Sequence, residues 1–277
     1  MYQWLSPAKL NLFLYITGRR PDNYHNLQTL FQFIDMSDRL SFNRREDDKI
    51  NLVTQFSDIP SDKNLITLAA QRLKSYTGRH ELGIDIAIDK IIPMGGGLGG
   101  ASSNAATTLV ALNQLWNLNL SRHTLIEIGR NIGADVPIFI YGHTALAQGI
   151  GDQLQSVEFP EYWYLVTYPN IAISTVKVFN DPDLKRGTPV RSVNELLSLD
   201  QFSNDCEVVV RKRYPKVNAI ITHLSQFAPT RLTGTGACVF TQCQSKAEAE
   251  KLQDTLIDFD VKSFVTKSLN NSPLYSN

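Results

Sequence analysis

The chain has 277 residues and equal numbers of acidic and basic side chains, 27 of each, so its formal net charge at pH 7 is zero. This balance lacks the electrostatic footprint of a protein that binds nucleic acid or an anionic membrane surface, so we expect any anion to be bound locally. Apolar residues make up 43% of the chain, as in a soluble globular protein, and the length favours roughly two domains.

The start of the chain does not resemble a targeting segment. It lacks the basic and apolar regions of a secretory signal, and no run of about 18 apolar residues predicts a membrane-spanning helix. We therefore expect a cytosolic protein without a membrane partner, and the sequence indicates no oligomeric state. The spacing of Cys206, Cys238 and Cys243 does not match a zinc site, which favours reduced packing thiols over disulfides or metal ligands.

The first quarter of the chain is predicted to be mostly β-sheet. From Ala8 to Ile16 apolar residues recur with the period of a strand, so Lys9 and Asn11 share one face. The stretch Gly18–Asn26 is dense in turn-forming residues and predicts a loop. Further strands are predicted at 29–34, 39–43 and 49–56.

Strands and helices without a regular βαβ repeat follow, which favours the α+β fold class. Asn64 is a candidate N-cap for a helix that Gly78 ends, and Ser121 is a candidate N-cap for a helix that runs to Gly133. The composition changes at 156–161, where we place a domain boundary. The other predicted elements are strands at 84–88, 144–148, 163–168 and 261–267, helices at 105–115, 175–180 and 246–256, helices beginning at 193, 205 and 215, and a hairpin at 231–242.

The stretch Pro93–Ser103 is the strongest functional feature of the sequence. It contains five of the sixteen glycines and lies between a predicted strand and a predicted helix. Glycine adopts positive φ readily, so successive N–H groups can turn toward one anion, and the helix that follows adds the partial positive charge of its N-terminus. We therefore expect a cradle for nucleotide phosphates.

Two familiar phosphate-binding motifs explain this stretch less well. Gly95, Gly97 and Gly100 satisfy the GxGxxG pattern, but no acidic ribose-binding residue follows about 20 positions later, as a Rossmann unit requires. A Walker A loop fails because no Gly-Lys-Ser/Thr follows the glycines. A flexible connector is the remaining alternative, and the strand and helix that closely flank the stretch disfavour it.

Four blocks of sequence follow one another along the chain: Ser6–Leu14, Pro93–Thr107, Gly133–Pro137 and Leu232–Phe240. They resemble the motifs of the GHMP kinase superfamily, a group of small-molecule kinases. More closely, they look like the branch that phosphorylates the 2-hydroxyl of 4-diphosphocytidyl-2-C-methyl-D-erythritol in non-mevalonate isoprenoid precursor biosynthesis. With Tyr24-His25 and Phe202–Glu207, the resemblance covers nearly the whole chain.

The resemblance implies a two-domain α+β kinase that uses ATP and Mg²⁺. The implied fold joins an N-terminal domain like domain 2 of ribosomal protein S5 to a ferredoxin-like C-terminal domain. We place the ATP-binding and catalytic domain at 1–157 and the substrate-binding domain at 158–277. Ala101 stands where this branch has a third consecutive glycine, which suits a residue already in helical conformation. The expected nucleotide-binding residues are Lys90, Pro93, Met94, Gly95, Gly96, Gly97, Leu98, Gly99, Gly100, Ala101, Ser102 and Ser103.

The catalytic candidates are Asp135 and Lys9. The resemblance assigns the role of general base for the substrate hydroxyl to Asp135, whose alternative role is to cap a turn before Val136. Lys9 is the matching basic partner, able to offset charge on the transferred phosphoryl group. The sequence assigns no carboxylate ligand to Mg²⁺, so it leaves open whether Asp135 is a base or an electrostatic and positioning group.

The acceptor implied by the resemblance is a small molecule, a cytidine diphosphate alcohol. Its base needs an aromatic platform and polar partners at the ring edge. The resemblance implies that Tyr24 and Phe179 stack on the base and that His25 contacts its edge, although plain packing is the commoner role of such residues. The other expected substrate contacts are Asn11, Thr175, Gly234 and Gly236, and the alternative for the two glycines is a tight hairpin.

Two other functions stay open at this point. A sister GHMP kinase that acts on homoserine, mevalonate or a sugar would not need Tyr24, His25 and Phe179. A non-enzymatic ligand-binding protein on the same fold would be expected to lack Lys9 or Asp135, and both are present.

Overall fold

The computed structural model describes residues 2–56, 60 and 63–276, and two long antiparallel strands lie at the centre of its sheet. These strands are β1 (Tyr2–Arg19) and β2 (His25–Arg45). The loop predicted at 18–26 is shorter than expected, because both strands extend into it. The strands predicted at 29–34 and 39–43 are one strand, because Ser37 and Asp38 between them stay extended and pair with β1.

The other strands of the described residues are β3 (Ile50–Leu52), β4 (Gly83–Asp89), β5 (Ala145–Gln148), β6 (Gln153–Ser156), β7 (Trp163–Tyr168), β8 (Thr230–Leu232), β9 (Val239–Cys243) and β10 (Lys262–Leu269). They form one sheet with β1 and β2, whose main path runs β3-β4-β2-β10-β7-β9-β8. β10 pairs with β7 and, at its end, with β2, so the sheet is continuous from the first half of the chain to the second. No helix or strand occupies 157–162, and the boundary at 157/158 stays a prediction.

The helices are α1 (Leu65–Thr77), α2 (Gly100–Leu115), α3 (Arg122–Arg130), α4 (Val136–Tyr141), α5 (Thr175–Phe179), α6 (Val193–Leu197), α7 (Glu207–Arg213), α8 (Pro215–Leu224) and α9 (Lys246–Asp254). The predicted N-caps are confirmed, since the side chains of Asn64 and Ser121 accept hydrogen bonds from the first turns of α1 and α3. Gly78 ends α1 in the left-handed conformation. Among the helices described, none combines the length and apolar character needed to cross a bilayer.

Three groups of buried apolar residues fill the described fold. The first lies between β2, β4 and the helices α1 to α3, and the second lies between β7, β9 and the helices α7 to α9. The third joins them and contains residues of β1, including Leu10 and Leu12. Residues 8–16 of β1 are therefore buried on both faces, so the face that carries Lys9 and Asn11 is also covered.

Asp38 of β2 is a fully buried carboxylate that fixes the chain where it enters the glycine-rich stretch. Its Oδ1 accepts hydrogen bonds from the N–H groups of Ile91, at 2.7 Å, and Ile92, at 2.8 Å. Its Oδ2 lies 2.9 Å from Lys90 Nζ, and that ammonium group also donates to the carbonyl oxygen of Ile92. A buried carboxylate is tolerated only with such partners. Asp38 therefore connects the centre of the sheet to the start of the loop.

We predict that Asp38→Asn lowers the free energy of unfolding by about 2 to 4 kcal/mol, because the ion pair with Lys90 is lost in a buried setting. Denaturant titration followed by circular dichroism measures the change. Asp35→Asn is the matched control, since Asp35 is exposed on the same strand and its loss should cost no more than about 0.5 kcal/mol. Equal losses in the two variants would contradict the proposed role of Asp38.

Candidate active site

A cleft of about 520 Å³ runs along the glycine-rich stretch. One wall is formed by 93–102 and the face of β1 that carries Lys9, and the other includes Thr175 and Phe179 from the second half of the chain. The first turn of α2 lines the cleft through Gly100, Ala101 and Ser102, so Ala101 does have a helical conformation. The first N–H groups of a helix have no partner within the helix, which makes this end of the cleft suitable for an anion.

Alternate glycines of the stretch have positive φ, namely Gly95 at 68°, Gly97 at 76° and Gly99 at 73°. Residues that carry a side chain rarely adopt a positive φ, so the backbone path itself favours glycine at these positions. At Gly99 space is also lacking, because a Cβ there would lie 2.7 Å from Phe139 Cζ and 3.1 Å from Lys9 Cε. The chain thus passes directly over the Lys9 side chain.

The glycine motif of the C-terminal half packs against the same stretch. A Cβ on Gly97 would lie 2.4 Å from the carbonyl oxygen of Thr233, which is closer than any real contact of this kind. A backbone hydrogen bond joins the two segments as well, because the Cys238 N–H donates to the Gly96 carbonyl oxygen at 3.0 Å. The two glycine motifs therefore form one backbone surface at the floor of the cleft.

Asn204 and Glu207 explain why the Phe202–Glu207 block accompanies these motifs. The Asn204 amide donates to the carbonyl oxygens of Leu232, at 2.9 Å, and Gly234, at 2.8 Å. The Glu207 carboxylate accepts from the Leu232 N–H at 2.9 Å. Both residues shape the second glycine motif from outside the cleft.

Lys9 is a buried cation at the floor of the cleft, with only 2% of its surface exposed. Its Nζ donates to Asn11 Oδ1 at 2.6 Å and to the carbonyl oxygen of Gly97 at 3.0 Å, and it lies 3.2 Å from Asp135 Oδ2. The Lys9 N–H donates to the carbonyl oxygen of Leu98 at 3.0 Å, so β1 is tied to the loop by its backbone too. One ammonium group thus connects the sheet, the glycine-rich stretch and the candidate base.

Asp135 lies directly before α4, and 34% of its side chain is exposed. Its side chain makes no capping hydrogen bond to the described helix, so the alternative role as a turn-capping aspartate finds no support in the geometry. The carboxylate lines the cleft instead and is paired with Lys9. This position is suitable for contact with a substrate hydroxyl.

The charge of the cleft is positive. Lys9, Lys63 and Lys90 line it, against Asp135 in the lining and Asp38 behind Lys90, so one positive charge remains on balance. A focused positive charge beside a helix N-terminus attracts an anion with several charges. The electrostatics of the cleft therefore suit a polyphosphate, although the formal net charge of the whole chain is zero.

Two of the three residues predicted to bind a nucleobase contact each other: Phe179, which lines the cleft, and His25, which is buried behind it and is not part of the lining. The rings of His25 and Phe179 stack at a centroid distance of 5.1 Å and an interplanar angle of 21°. Burial lowers the pKa of His25, and the positive charges of Arg186 and Arg19 lower it further. Tyr24 is 59% exposed and does not line the cleft as it stands.

The structure brings most of the predicted site residues to one cleft. The described residues that line it as expected are Lys9, Asn11, Lys90, Pro93, Met94, Gly95, Gly96, Gly97, Leu98, Gly99, Gly100, Ala101, Ser102, Asp135, Thr175, Phe179 and Gly234. Their individual roles remain predictions. Asn11 has both ends of its amide engaged, with Lys9 and with Thr29 Oγ1 at 2.9 Å, so it positions Lys9.

Of the predicted site residues, Ser103, Gly236 and His25 also do not line the cleft. Ser103 is fully buried, and its hydroxyl lies 2.8 Å from that of Ser6 beneath the loop. For Ser103 the reason is helical geometry, since successive residues of α2 point about 100° apart and, of the two serines, Ser102 is the one that lines the cleft. Gly236 faces Leu232 and Ile173 in the core.

Sequence reasoning missed one end of the cleft. Phe56, Lys63 and Leu65 line it near the start of α1, where the sequence pattern indicated only a strand and a helix cap. Asn64 also lines it, and its side chain accepts a hydrogen bond from the Ile66 N–H at 3.0 Å. These residues belong to no recognisable sequence motif, so only the three-dimensional path of the chain shows that they line the cleft.

The residues present fit Mg²⁺ that is carried by phosphates. Within the described ranges, no cluster of three or more His, Cys, Asp or Glu forms a metal site. Asp135 and the Ser102 hydroxyl both line the cleft, and Gly133, two residues before Asp135, lies close to that hydroxyl, since a Cβ there would be 3.7 Å from Ser102 Oγ. Mg²⁺ commonly uses one carboxylate, substrate phosphates and several waters. This donor set agrees with that pattern.

Two family models match the chain, and together they cover more than half of it. The model of the GHMP kinases N terminal domain matches residues 64–143, and the model of the GHMP kinases C terminal matches residues 183–261. The chain belongs to the GHMP kinase family. It is a small-molecule kinase with the two-domain α+β fold of that family.

Solved structures of related kinases superpose on nearly the whole chain. A 4-(cytidine 5'-diphospho)-2C-methyl-D-erythritol kinase has a TM-score of 0.83 at 27% identity, covering 96% of this chain and 99% of that one. The mevalonate kinase of Methanococcus jannaschii has a TM-score of 0.74 at 17% identity, covering 97% and 98%. The homoserine kinase of Cytophaga hutchinsonii has a TM-score of 0.72 at 17% identity, covering 98% and 95%. The last two likenesses establish the fold.

We predict that Gly97→Ala impairs the kinase far more than Gly95→Ala. Both residues have positive φ, so both variants carry the same kind of backbone strain. At Gly97 the new Cβ also meets Thr233 O at 2.4 Å, whereas at Gly95 the nearest atom is Ala172 Cβ at 3.5 Å. Thermal denaturation and the KM for the phosphoryl donor measure the difference. Similar results for the two variants would show that the packing of the two glycine motifs is not needed.

Proposed function

We propose that this protein transfers the γ-phosphoryl group of ATP to the 2-hydroxyl of 4-diphosphocytidyl-2-C-methyl-D-erythritol, a step of non-mevalonate isoprenoid precursor biosynthesis. The observation that carries the proposal is the buried Lys9, which lies 3.2 Å from Asp135 and 3.0 Å from the Gly97 carbonyl oxygen. Phosphate loop, cation and carboxylate are thereby placed around one point. The similarity to the solved erythritol kinase at 27% identity supports the choice of acceptor.

The donor would lie along the glycine-rich stretch. Its phosphates would accept hydrogen bonds from the backbone of 95–102 and from the first turn of α2. Lys90 is held by Asp38 at the entrance of the loop, so its charge is fixed close to that position. Phe56 and Leu65 supply an apolar surface for the adenine ring at the same end of the cleft.

Asp135 would accept the proton of the acceptor hydroxyl as the new O–P bond forms. Phosphoryl transfer depends chiefly on positioning and on neutralising charge at the equatorial oxygens. Lys9 would contribute to positioning and to charge neutralisation. Its hydrogen bonds to Asn11 and Gly97 hold Nζ in place, and its positive charge lies 3.2 Å from the Asp135 carboxylate, where the phosphoryl group would be transferred. Mg²⁺ on the phosphates would supply further charge neutralisation, held by Asp135 and Ser102.

The acceptor would extend toward the second half of the chain. The His25–Phe179 stack offers an aromatic surface for a base, and the hydroxyls of Thr175 and Thr235, 2.9 Å apart, lie near it for polar contacts. Tyr24 is adjacent in sequence and exposed, so its ring is available to cover the other face of the base. In this proposal residues 1–157 bind the donor and residues 158–277 complete the acceptor site. We propose that the protein acts in the cytoplasm.

The rival functions are less well supported. Kinases of mevalonate and homoserine share the fold, but an acceptor without a base gives the His25–Phe179 stack nothing to recognise. A binding protein without catalysis has no use for a buried lysine paired with a carboxylate, an arrangement that is costly to desolvate.

ADP release with a panel of acceptor alcohols tests the proposal. We expect turnover of the cytidine diphosphate alcohol and at most trace turnover of homoserine, mevalonate or sugars. Asp135→Asn should lower kcat by roughly 10² to 10⁴ fold, the usual worth of acid–base catalysis. Asp89→Asn, which makes the same charge change at an exposed residue of β4, is the control and should keep the kcat of the wild type.

Turnover of mevalonate or homoserine equal to that of the cytidine diphosphate alcohol would contradict the proposed acceptor. Full kcat in Asp135→Asn would overturn the role of Asp135 while leaving the acceptor intact. The two parts of the proposal therefore fail separately.

A further inference from the structure

Arg186 holds the aromatic end of the acceptor site together. Its Nε donates to His25 Nε2 at 3.1 Å, and its Nη2 donates to the carbonyl oxygens of Phe179, at 2.8 Å, and Asp181, at 2.7 Å. Its Nη1 donates to the carbonyl oxygen of Leu184 at 3.2 Å. Three of the four partners are backbone carbonyl oxygens, which are neutral acceptors. One guanidinium group thus contacts both His25 and the residue that stacks on it.

The Arg186–His25 hydrogen bond determines the protonation of the imidazole. An arginine side chain has donors only, so the ring nitrogen that faces it must carry a lone pair. A neutral imidazole with an unprotonated Nε2 bears its proton on Nδ1. The geometry disfavours a charged imidazolium at this position, because two donors and two positive charges would face each other. Burial and the nearby guanidinium groups also lower the pKa of His25, in agreement with a neutral ring.

The same residue fixes the orientation of the stack. Phe179 is the last residue of α5, which has only five residues and little stability of its own. Arg186 binds its carbonyl oxygen and that of Asp181, so it closes the end of this short helix against the His25 ring. Without Arg186, both the tautomer of His25 and the distance between the two rings would lose a constraint.

We propose that Arg186 is a positioning residue for the acceptor base: it fixes His25 as a neutral Nδ1–H donor beside Phe179, and so selects cytosine over uracil. This inference rests on the proposed function, since it assumes that the acceptor carries a pyrimidine. Cytosine N3 is an acceptor and matches an N–H donor, whereas uracil N3 bears a hydrogen and opposes one. A buried donor that faces another donor is costly, which makes such a mismatch an effective filter.

Nitrogen NMR of the protein labelled with ¹⁵N-histidine tests the tautomer directly. The His25 signals are assigned by their loss in His25→Asn. We expect an unprotonated Nε2 and a protonated Nδ1 in the wild type, and a shift toward protonated Nε2 in Arg186→Met. Arg213→Met is the matched control, because Arg213 binds the side chains of Asp181 and Asp183 in the same loop and should leave the tautomer unchanged. An unchanged His25 pattern in Arg186→Met would overturn the proposal.

Calorimetric binding of cytidine 5'-diphosphate and uridine 5'-diphosphate tests the selection without relying on kinase activity. We expect the wild type to favour the cytidine compound, and Arg186→Met to reduce the ratio of the two dissociation constants by roughly tenfold, the worth of about one hydrogen bond. The control Arg213→Met should keep the ratio. An unchanged ratio in Arg186→Met would overturn the proposal.

Arg186→Lys provides a second route if Arg186→Met does not fold. Lysine can donate to His25 Nε2 but cannot also reach two carbonyl oxygens in a fixed geometry. It should therefore restore the tautomer while leaving binding of both nucleotides weaker, and a restored ratio with a changed tautomer would contradict the proposal. If the wild type kept the tautomer but showed no preference for cytidine, base selection and the proposed acceptor would fail, while the positioning of His25 by Arg186 would stand.

Discussion

The site depends on a single buried ammonium group, that of Lys9. Removing such a charge from water is costly unless its hydrogen-bonding capacity is satisfied. Asn11, the Gly97 carbonyl oxygen and Asp135 surround Nζ, and they come from three separate parts of the chain. The need to satisfy Lys9 therefore sets the position of the phosphate loop relative to the sheet, and that of the candidate base relative to both.

The two glycine motifs meet for a related reason. The loop can pass over Lys9 only if its backbone approaches the second motif without side chains, as the 2.4 Å distance from a Cβ on Gly97 to Thr233 O demonstrates. Asn204 holds the second motif in place from behind. The surface proposed to bind phosphate and part of the proposed acceptor site are consequently joined through the backbone, by the Cys238 N–H to Gly96 O hydrogen bond and the close approach of Gly97 to Thr233.

Local signals predicted much of this arrangement. The caps at Asn64 and Ser121, the strand-to-helix position of the glycines and the shared face of Lys9 and Asn11 all follow from short-range pattern. Contacts between distant residues could not be predicted in this way. Asp38 lies between the strands predicted at 29–34 and 39–43, and no sequence pattern points to its partners, which lie more than 50 residues away, at Ile91 and Ile92.

The same limit applies to Ser103 and Gly236, whose neighbours fit the motif and line the cleft while their own side-chain positions face the interior. Motif residues were identified by type, and only the helix phase of α2 separates Ser102 from Ser103. Arg186 carried no sequence signal, because its partners are carbonyl oxygens and a histidine 161 positions away.

A double-mutant cycle on kcat/KM with Lys9→Met and Asp135→Asn tests the central claim most directly. Because the two residues act as a pair, the double variant should be no worse than the more damaging single variant. If the two losses multiplied instead, Lys9 and Asp135 would act independently, which would contradict the claim that the buried Lys9 organises the site together with Asp135.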